Sequence, residues 1–239
     1  MTNEITPAYF DKGYYENAGE KSPLHAGWTE WMAPLIAKLV VHSKNKICRH
    51  GGKQVLEVGC AKGEVVKSLN DLGLFSYGIE YSEYAIQRSI LPERCWQGDL
   101  SAESSDAYYP AYSVIHSWEV FEHIPTERIP TLLKNVYSLL HTGGMFIGSI
   151  CLDKDQEKVE EMLAKLSPAE AEKRRDISHV TIKSREWWLE KFREVKFEVL
   201  EDERKDIQST LFPLDNDLDV HYFSLHGKFE YSLFVMRKR

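Results

Sequence analysis

The sequence predicts an α/β protein built on a largely parallel sheet covered by helices on both faces. Three observations lead there. Short apolar runs alternate with helical stretches between residues 54 and 150, and parallel strands need such crossovers to bring the chain back. Two later runs, KFEVLEDE (196–203) and FEYSLFVMRK (229–238), read as strands forming an antiparallel pair at the sheet edge. No internal repeat, low-complexity tract or Gly/Ser linker divides the 239 residues, a length that one core can serve.

Each element follows from its pattern. A helix is read from about residue 26 to 45, where WMAPLIAKLVV carries apolar residues at helical spacing broken only by Pro34. The aromatic stretch before it, YFDKGYYENAGEKSPLHAGW, is either an ordered surface lead-in or a lid with Tyr14 and Tyr15 over a pocket. QVLEV (54–58) is the first strand, followed by a glycine turn and the helix EVVKSLNDLG. LFSYGIE (74–80) is the second, followed by SEYAIQRSI, and RCWQ (94–97) is a short third. AYSVIHSW (111–118) is the fourth; the helix ERIPTLLKNVYSLL leads from it to the fifth, GGMFIGSI (143–150). The charged helical stretch DKDQEKVEEMLAKLSPAEAEKRRD then interrupts the alternation. SREWWLEKFREV is an amphipathic helix with Ser184 as its N-cap. One domain is expected over 1–239: an N-terminal lid and helix (1–50), a core (51–150), an insertion (151–183), and a C-terminal helix with edge strands (184–239).

Composition excludes several classes. A net charge of -7 leaves no global basic footprint for nucleic acid. Cys48, Cys60, Cys95 and Cys151 form no CxxC pair, which argues against a zinc knuckle or disulfide framework and for a reducing compartment. MTNEITPAYF lacks the basic and apolar regions of a signal peptide, and no apolar run is long enough to span a bilayer. A soluble, cytoplasmic protein without a membrane partner is expected.

The turn VLEVGCAKGEVV places Gly59 and Gly63 where backbone can approach a ligand, and aims a helix N-terminus at it. Glu80 ends the second strand about twenty residues later, where a carboxylate can accept from two ribose hydroxyls. Gly98-Asp99-Leu100 follows the third strand, where a carboxylate and backbone groups can read an adenine edge.

The ordered series VLEVGCAKG, GIEYS, QGDL, SWEVFEHIP and HTGGMFIGSI, from about residue 54 to 150, resembles the class I S-adenosylmethionine-dependent methyltransferases. The competing dehydrogenase fingerprint, G-x-G-x-x-G, is broken by Ala61 and Lys62. The resemblance implies a Rossmann-like seven-stranded sheet with an antiparallel C-terminal edge pair, and S-adenosyl-L-methionine as cofactor. By position it implies that Glu57, Gly59 and Gly63 line the methionine end, Glu80 holds the ribose and Tyr81 lies against the adenine. Asp99 and Leu100 would contact the adenine, and Ser117 would sit beside the sulfonium. The chain departs from the pattern at Ala61, where many members have glycine, and at Ser113, where the fourth strand often begins with aspartate.

SWEVFEHIP raises the question of chemistry. Glu119, Glu122 and His123 stand at i, i+3 and i+4, and share one face if the chain turns helically. Two carboxylates and an imidazole suit a divalent metal, and His179 in DISHVTIKS offers a fourth ligand. The same residues also suit a helix start, where acids complement the dipole. E-x-x-E-H with a downstream histidine is similar to the metal-dependent 2′-O-methyltransferases of small-RNA 3′ ends. That likeness implies Mn2+ or Mg2+ on Glu119, Glu122, His123 and His179. Without an ion, His123 or His179 would be the general base.

SHVTIKSREWWLEKF is similar to methyltransferases associated with glycan assembly. With the acidic charge, this makes a sugar or glycan hydroxyl the expected acceptor and disfavours nucleic acid. A phenol- or quinone-type O-methyltransferase, an RNA 2′-O-methyltransferase and a non-catalytic cofactor-binding protein are the alternatives. His116 is expected to be packed inside the fourth strand, and Trp187 and Trp188 to be core or a sugar platform. His25, His221 and His226 fall in loop-like stretches.

Overall fold

The computed structural model describes residues 6–16, 28–103, 111–174, 177–211 and 232–239; His25, His221 and His226 lie outside them. Its strands are β1 (Gln54–Val58), β2 (Phe75–Glu80), β3 (Cys95–Gln97), β4 (Tyr112–Trp118), β5 (Leu140–Ser149), β6 (Phe197–Val199) and β7 (Leu233–Lys238). Its helices are α1 (Lys12–Tyr15), α2 (Trp28–Ile47), α3 (Glu64–Asp71), α4 (Glu83–Ile86) and α5 (Ile129–Leu139). They continue as α6 (Asp153–Leu163), α7 (Pro168–Arg174), α8 (Arg185–Glu194) and α9 (Glu201–Leu211).

One sheet orders the strands β3-β2-β1-β4-β5-β7-β6. Neighbours run parallel from β3 to β5, while β7 lies antiparallel between β5 and β6. The expected antiparallel edge therefore arises from one reversed strand. The expected strand KFEVLEDE is corrected: β6 stops at Val199 and α9 begins at Glu201. Leu200 and Ile207 from this stretch pack in the core at helical spacing, and three acids occupy the first turn of α9, where the helix dipole favours them.

Strand alternation assigns each face its helices. Val55, Val114, Met145, Ile147 and Val235 join α2, α3 and α9 in one core. Leu56, Val58, Ile115, Phe146 and Met236 join α5 and α8 in the other, where Phe121, Trp188 and Phe192 are fully buried. Ser184 caps α8 as expected, its Oγ accepting the backbone N–H of Trp187 at 3.2 Å. Among the described residues no helix is long and apolar enough to cross a membrane.

Candidate active site

β1 pairs with β2 on one side and β4 on the other, so the chain reverses its direction of sheet growth there. Ligands bind at the carboxyl ends of strands flanking such a switch point. A crevice opens there, and its wall includes Gly59, Glu80, Tyr81, Asp99, Leu100, Glu119 and His123.

The loop after β1 is shaped by left-handed backbone at Gly59 (φ 77°), Ala61 (φ 48°) and Gly63 (φ 89°). Ala61 holds this conformation despite its β carbon, at a cost of roughly 1–2 kcal/mol. Its N–H donates to Glu80 Oε2 at 2.9 Å, and Ser82 N–H donates to Oε1 at 2.8 Å. Burial raises the pKa of Glu80, while these backbone donors and the Tyr15 phenol oppose the rise. Burial first, and then the nearby Glu80, push the Tyr15 phenol well above its ordinary value. Glu80 thus stands at the end of β2 on the crevice wall with its carboxylate held by backbone donors, at the position where a ribose-binding carboxylate is expected.

Asp99 is held from two sides. Its Oδ1 accepts from Ser101 N (2.8 Å) and Ser101 Oγ (2.6 Å), and its Oδ2 accepts from the Arg128 guanidinium (2.6 Å). Asn135 Nδ2 donates to the carbonyls of Leu100 and Ala102, which fixes the rest of this loop on α5.

The turn after β4 does not form the helical face expected for Glu119, Glu122 and His123. Glu119 is left-handed (φ 53°), and only Phe121–His123 form a short 3-10 turn. The cluster is instead built by the segment around residue 180. Val180 N and Thr181 N both donate to the Glu122 carbonyl at 2.9 Å, and Thr181 Oγ1 donates to the Ile124 carbonyl at 2.6 Å. Ser178 Oγ lies 2.8 Å from His123 Nδ1, and the His123 and His179 rings are 4.8 Å apart. Glu122, fully buried, accepts Cys151 N–H on Oε1 at 3.2 Å.

As a result Glu122, His123 and His179 each offer a ligand atom within 4.8 Å of the others; Glu119, Glu122 and Cys151 form a second such group. Glu119 therefore meets the predicted set through Glu122. One carboxylate and two imidazoles fit a first-row divalent ion. Ser178 Oγ beside Nδ1 orients the His123 ring.

Five predicted residues do not line the crevice: Glu57, Gly63, Ser117, Glu122 and His179. Glu57 is buried on the α3 face, where its carboxylate accepts the backbone N–H of Val66 in the first turn of α3. Burial, and then Glu64, raise its pKa well above the usual carboxylate range. Gly63 stands at the N-cap of α3, and Ser117 Oγ donates to the Val58 carbonyl at 2.9 Å, tying β4 to β1. Glu122 and His179 also stand behind the wall, whereas Glu119 and His123 form part of it.

His116 is packed as expected. It pairs in register with Glu57, and its Nδ1 lies 4.0 Å from Glu57 Oε1 and accepts Trp118 Nε1–H at 2.9 Å. Burial lowers its pKa to about 3, so the ring is neutral and this contact is not an ion pair. Trp188 is fully buried, and Trp187 packs edge-on against it.

The N-terminal segment contributes to the crevice wall. Phe10, Tyr14 and Tyr15 line it; Ser82 Oγ donates to the Phe10 carbonyl at 2.5 Å, and the Phe10 ring lies 5.7 Å from His123. Sequence reasoning missed Arg128, Ser178 and Cys151, because each acts on a segment distant in the chain; it also missed Ser101, which acts on Asp99 two residues away.

A sheet of this order, with a glycine-containing loop and an acidic strand end beside the switch-point crevice, defines the Rossmann-like methyltransferase fold. Residues 29–200, more than half of the chain, match the family model described as "Methyltransferase domain". The chain belongs to that family. It is 27% identical over 139 residues to the ubiquinone biosynthesis O-methyltransferase of Albidiferax ferrireducens, covering 55% of this chain and 50% of that one. Against the enzyme of the same name from Thiobacillus denitrificans it is 31% identical over 112 residues, covering 44% and 42%. The chain thus spans about half the length of the curated relatives it matches. Among solved structures, a TehB-like SAM-dependent methyltransferase from Corynebacterium glutamicum superposes with a TM-score of 0.53 at 16% identity, covering 86% of this chain and 88% of that one.

Proposed function

We propose that the protein O-methylates one hydroxyl of a sugar or glycan, assisted by a divalent ion held by Glu122, His123 and His179 with Glu119 adjoining. The observation that carries this reading is the convergence of those three side chains at the crevice, with His123 in its wall. Bound S-adenosylmethionine supplies a methyl group already activated on its sulfonium. The chain's own residues orient and shield. Glu80 and Asp99 hold the nucleoside, and the Phe10 and Tyr14 rings wall the crevice beside His123. The segment 6–16 acts as a lid that keeps water from the transfer. A sugar hydroxyl is a poor nucleophile at neutral pH, and a bound divalent ion supplies Lewis acidity that eases loss of its proton. Glu119 accepts a hydroxyl of the acceptor and so helps choose between neighbours.

A second reading, transfer to a phenolic hydroxyl, draws on the names of the curated relatives and on the aromatic wall. One assay separates the readings. Labelled S-adenosylmethionine is offered with nucleotide sugars, free deoxysugars, catechols and small RNAs, with Mn2+ and then with chelator. The proposal expects methylated sugar that disappears on chelation. Labelled catechol would establish the second reading, and labelled RNA with no labelled sugar would overturn the first.

A further inference from the structure

Arg128 has no role in the transfer described so far, yet it makes a close charged contact in the crevice. It ends the 3-10 turn Thr126–Arg128, five residues beyond His123, and stands at the N-cap position of α5. Its guanidinium reaches back to Asp99 Oδ2 at 2.6 Å, and both residues line the crevice. The pair is partly exposed, the two side chains being 33% and 24% accessible. Such pairs add little to folding stability, so its consequence is sought in binding.

We infer that Arg128 is a positioning residue that sets the Asp99 carboxylate for the exocyclic amine of the cofactor's base. This rests on the reading that places the adenine beside Asp99. A carboxylate has about four acceptor positions. Ser101 uses two, both on Oδ1, and Arg128 uses one on Oδ2. One position on Oδ2 is left, and the guanidinium opposite determines where it points. An amine donates to that position, whereas the carbonyl oxygen of a hypoxanthine base is repelled there. The pair also links the loop after β3 to the turn Thr126–Arg128, which follows the one carrying Glu122 and His123.

The test is calorimetric binding of S-adenosylhomocysteine and S-inosylhomocysteine to wild type, Arg128→Ala, Arg128→Lys, Asp99→Asn and the Ala/Asn double variant. Wild type is expected to prefer the adenosyl compound. Arg128→Ala is expected to lose about tenfold in its affinity for that compound, in line with a charge-assisted hydrogen bond. Its discrimination should collapse, while Arg128→Lys recovers part of both. In the Asp99→Asn background, Arg128→Ala should change nothing further. Unchanged affinity in Arg128→Ala, or equal losses for both compounds, would overturn the inference while leaving the cofactor assignment standing. Failure of wild type to bind S-adenosylhomocysteine would overturn the cofactor assignment itself.

Discussion

The backbone N–H of Ala61 donates to Glu80 Oε2 at 2.9 Å, so the loop after β1 and the end of β2 share one buried carboxylate. The loop is therefore shaped by the same group that is to hold the cofactor. Glu80→Gln keeps the size and one acceptor but presents an amide to donors. We expect its affinity for S-adenosylhomocysteine to fall about 10- to 100-fold, the scale of one or two charge-assisted hydrogen bonds. Calorimetric titration of the variant measures this directly.

Gly59 sits where no side chain fits. A β carbon there would lie 2.3 Å from Val120 Cγ2, and the φ of 77° is left-handed. Gly59→Ala should cost about 1–3 kcal/mol from overpacking and backbone strain combined. Urea denaturation checks the magnitude. Val120→Ala in the same chain should recover part of the loss, because it removes the methyl groups that clash.

His116 provides a pH signature. Its pKa in the folded protein is about 3, set by burial, against about 6.5 when unfolded. Between those values the unfolded chain binds the extra proton, so stability falls as pH drops below about 6.5, by up to ~1.4 kcal/mol per pH unit. Glu57 runs the other way: its raised pKa makes the folded state bind the extra proton above the usual carboxylate range, so its contribution falls as pH rises. Comparing wild type with His116→Gln isolates the histidine. The acid-side slope between pH 6 and pH 4 should be shallower in the variant.

Much of this was legible from residue order alone. Alternation of Val55 and Leu56, or of Val114 and Ile115, assigns the two sheet faces, and the structure places those pairs in opposite cores. The α9 helix was not legible. The β-like pair Phe197 and Val199 runs directly into it, and its apolar anchors Leu200 and Ile207 are sparse among charges. Period-2 and period-3.6 patterns overlap at Leu200, so the strand reading absorbed the helix.

The site divides in the same way. Glu80 and Asp99 stand at strand ends, where chain position alone points at the crevice. The grouping of Glu122 with His179 depends on two backbone donors, Val180 N and Thr181 N, closing on one carbonyl. The Asp99–Arg128 contact depends on how α5 packs beneath the loop after β3. Contacts of that kind carry no local pattern. Glu57 shows the converse, since its position suggested a ligand role while its carboxylate caps α3.

The central claim is that Glu122, His123 and His179 hold an ion in a methyltransferase that binds its cofactor at Glu80 and Asp99. Thermal-shift titration tests it most directly, because a ligand of the folded state raises the melting temperature. Wild type, Glu122→Ala and His179→Ala are each titrated with S-adenosylhomocysteine, then with Mn2+. The prediction is stabilisation of wild type by both, with the response to Mn2+ lost in both variants and the response to S-adenosylhomocysteine kept. A wild type that responds to S-adenosylhomocysteine but not to Mn2+ or Mg2+ would contradict it and leave His123 as the base.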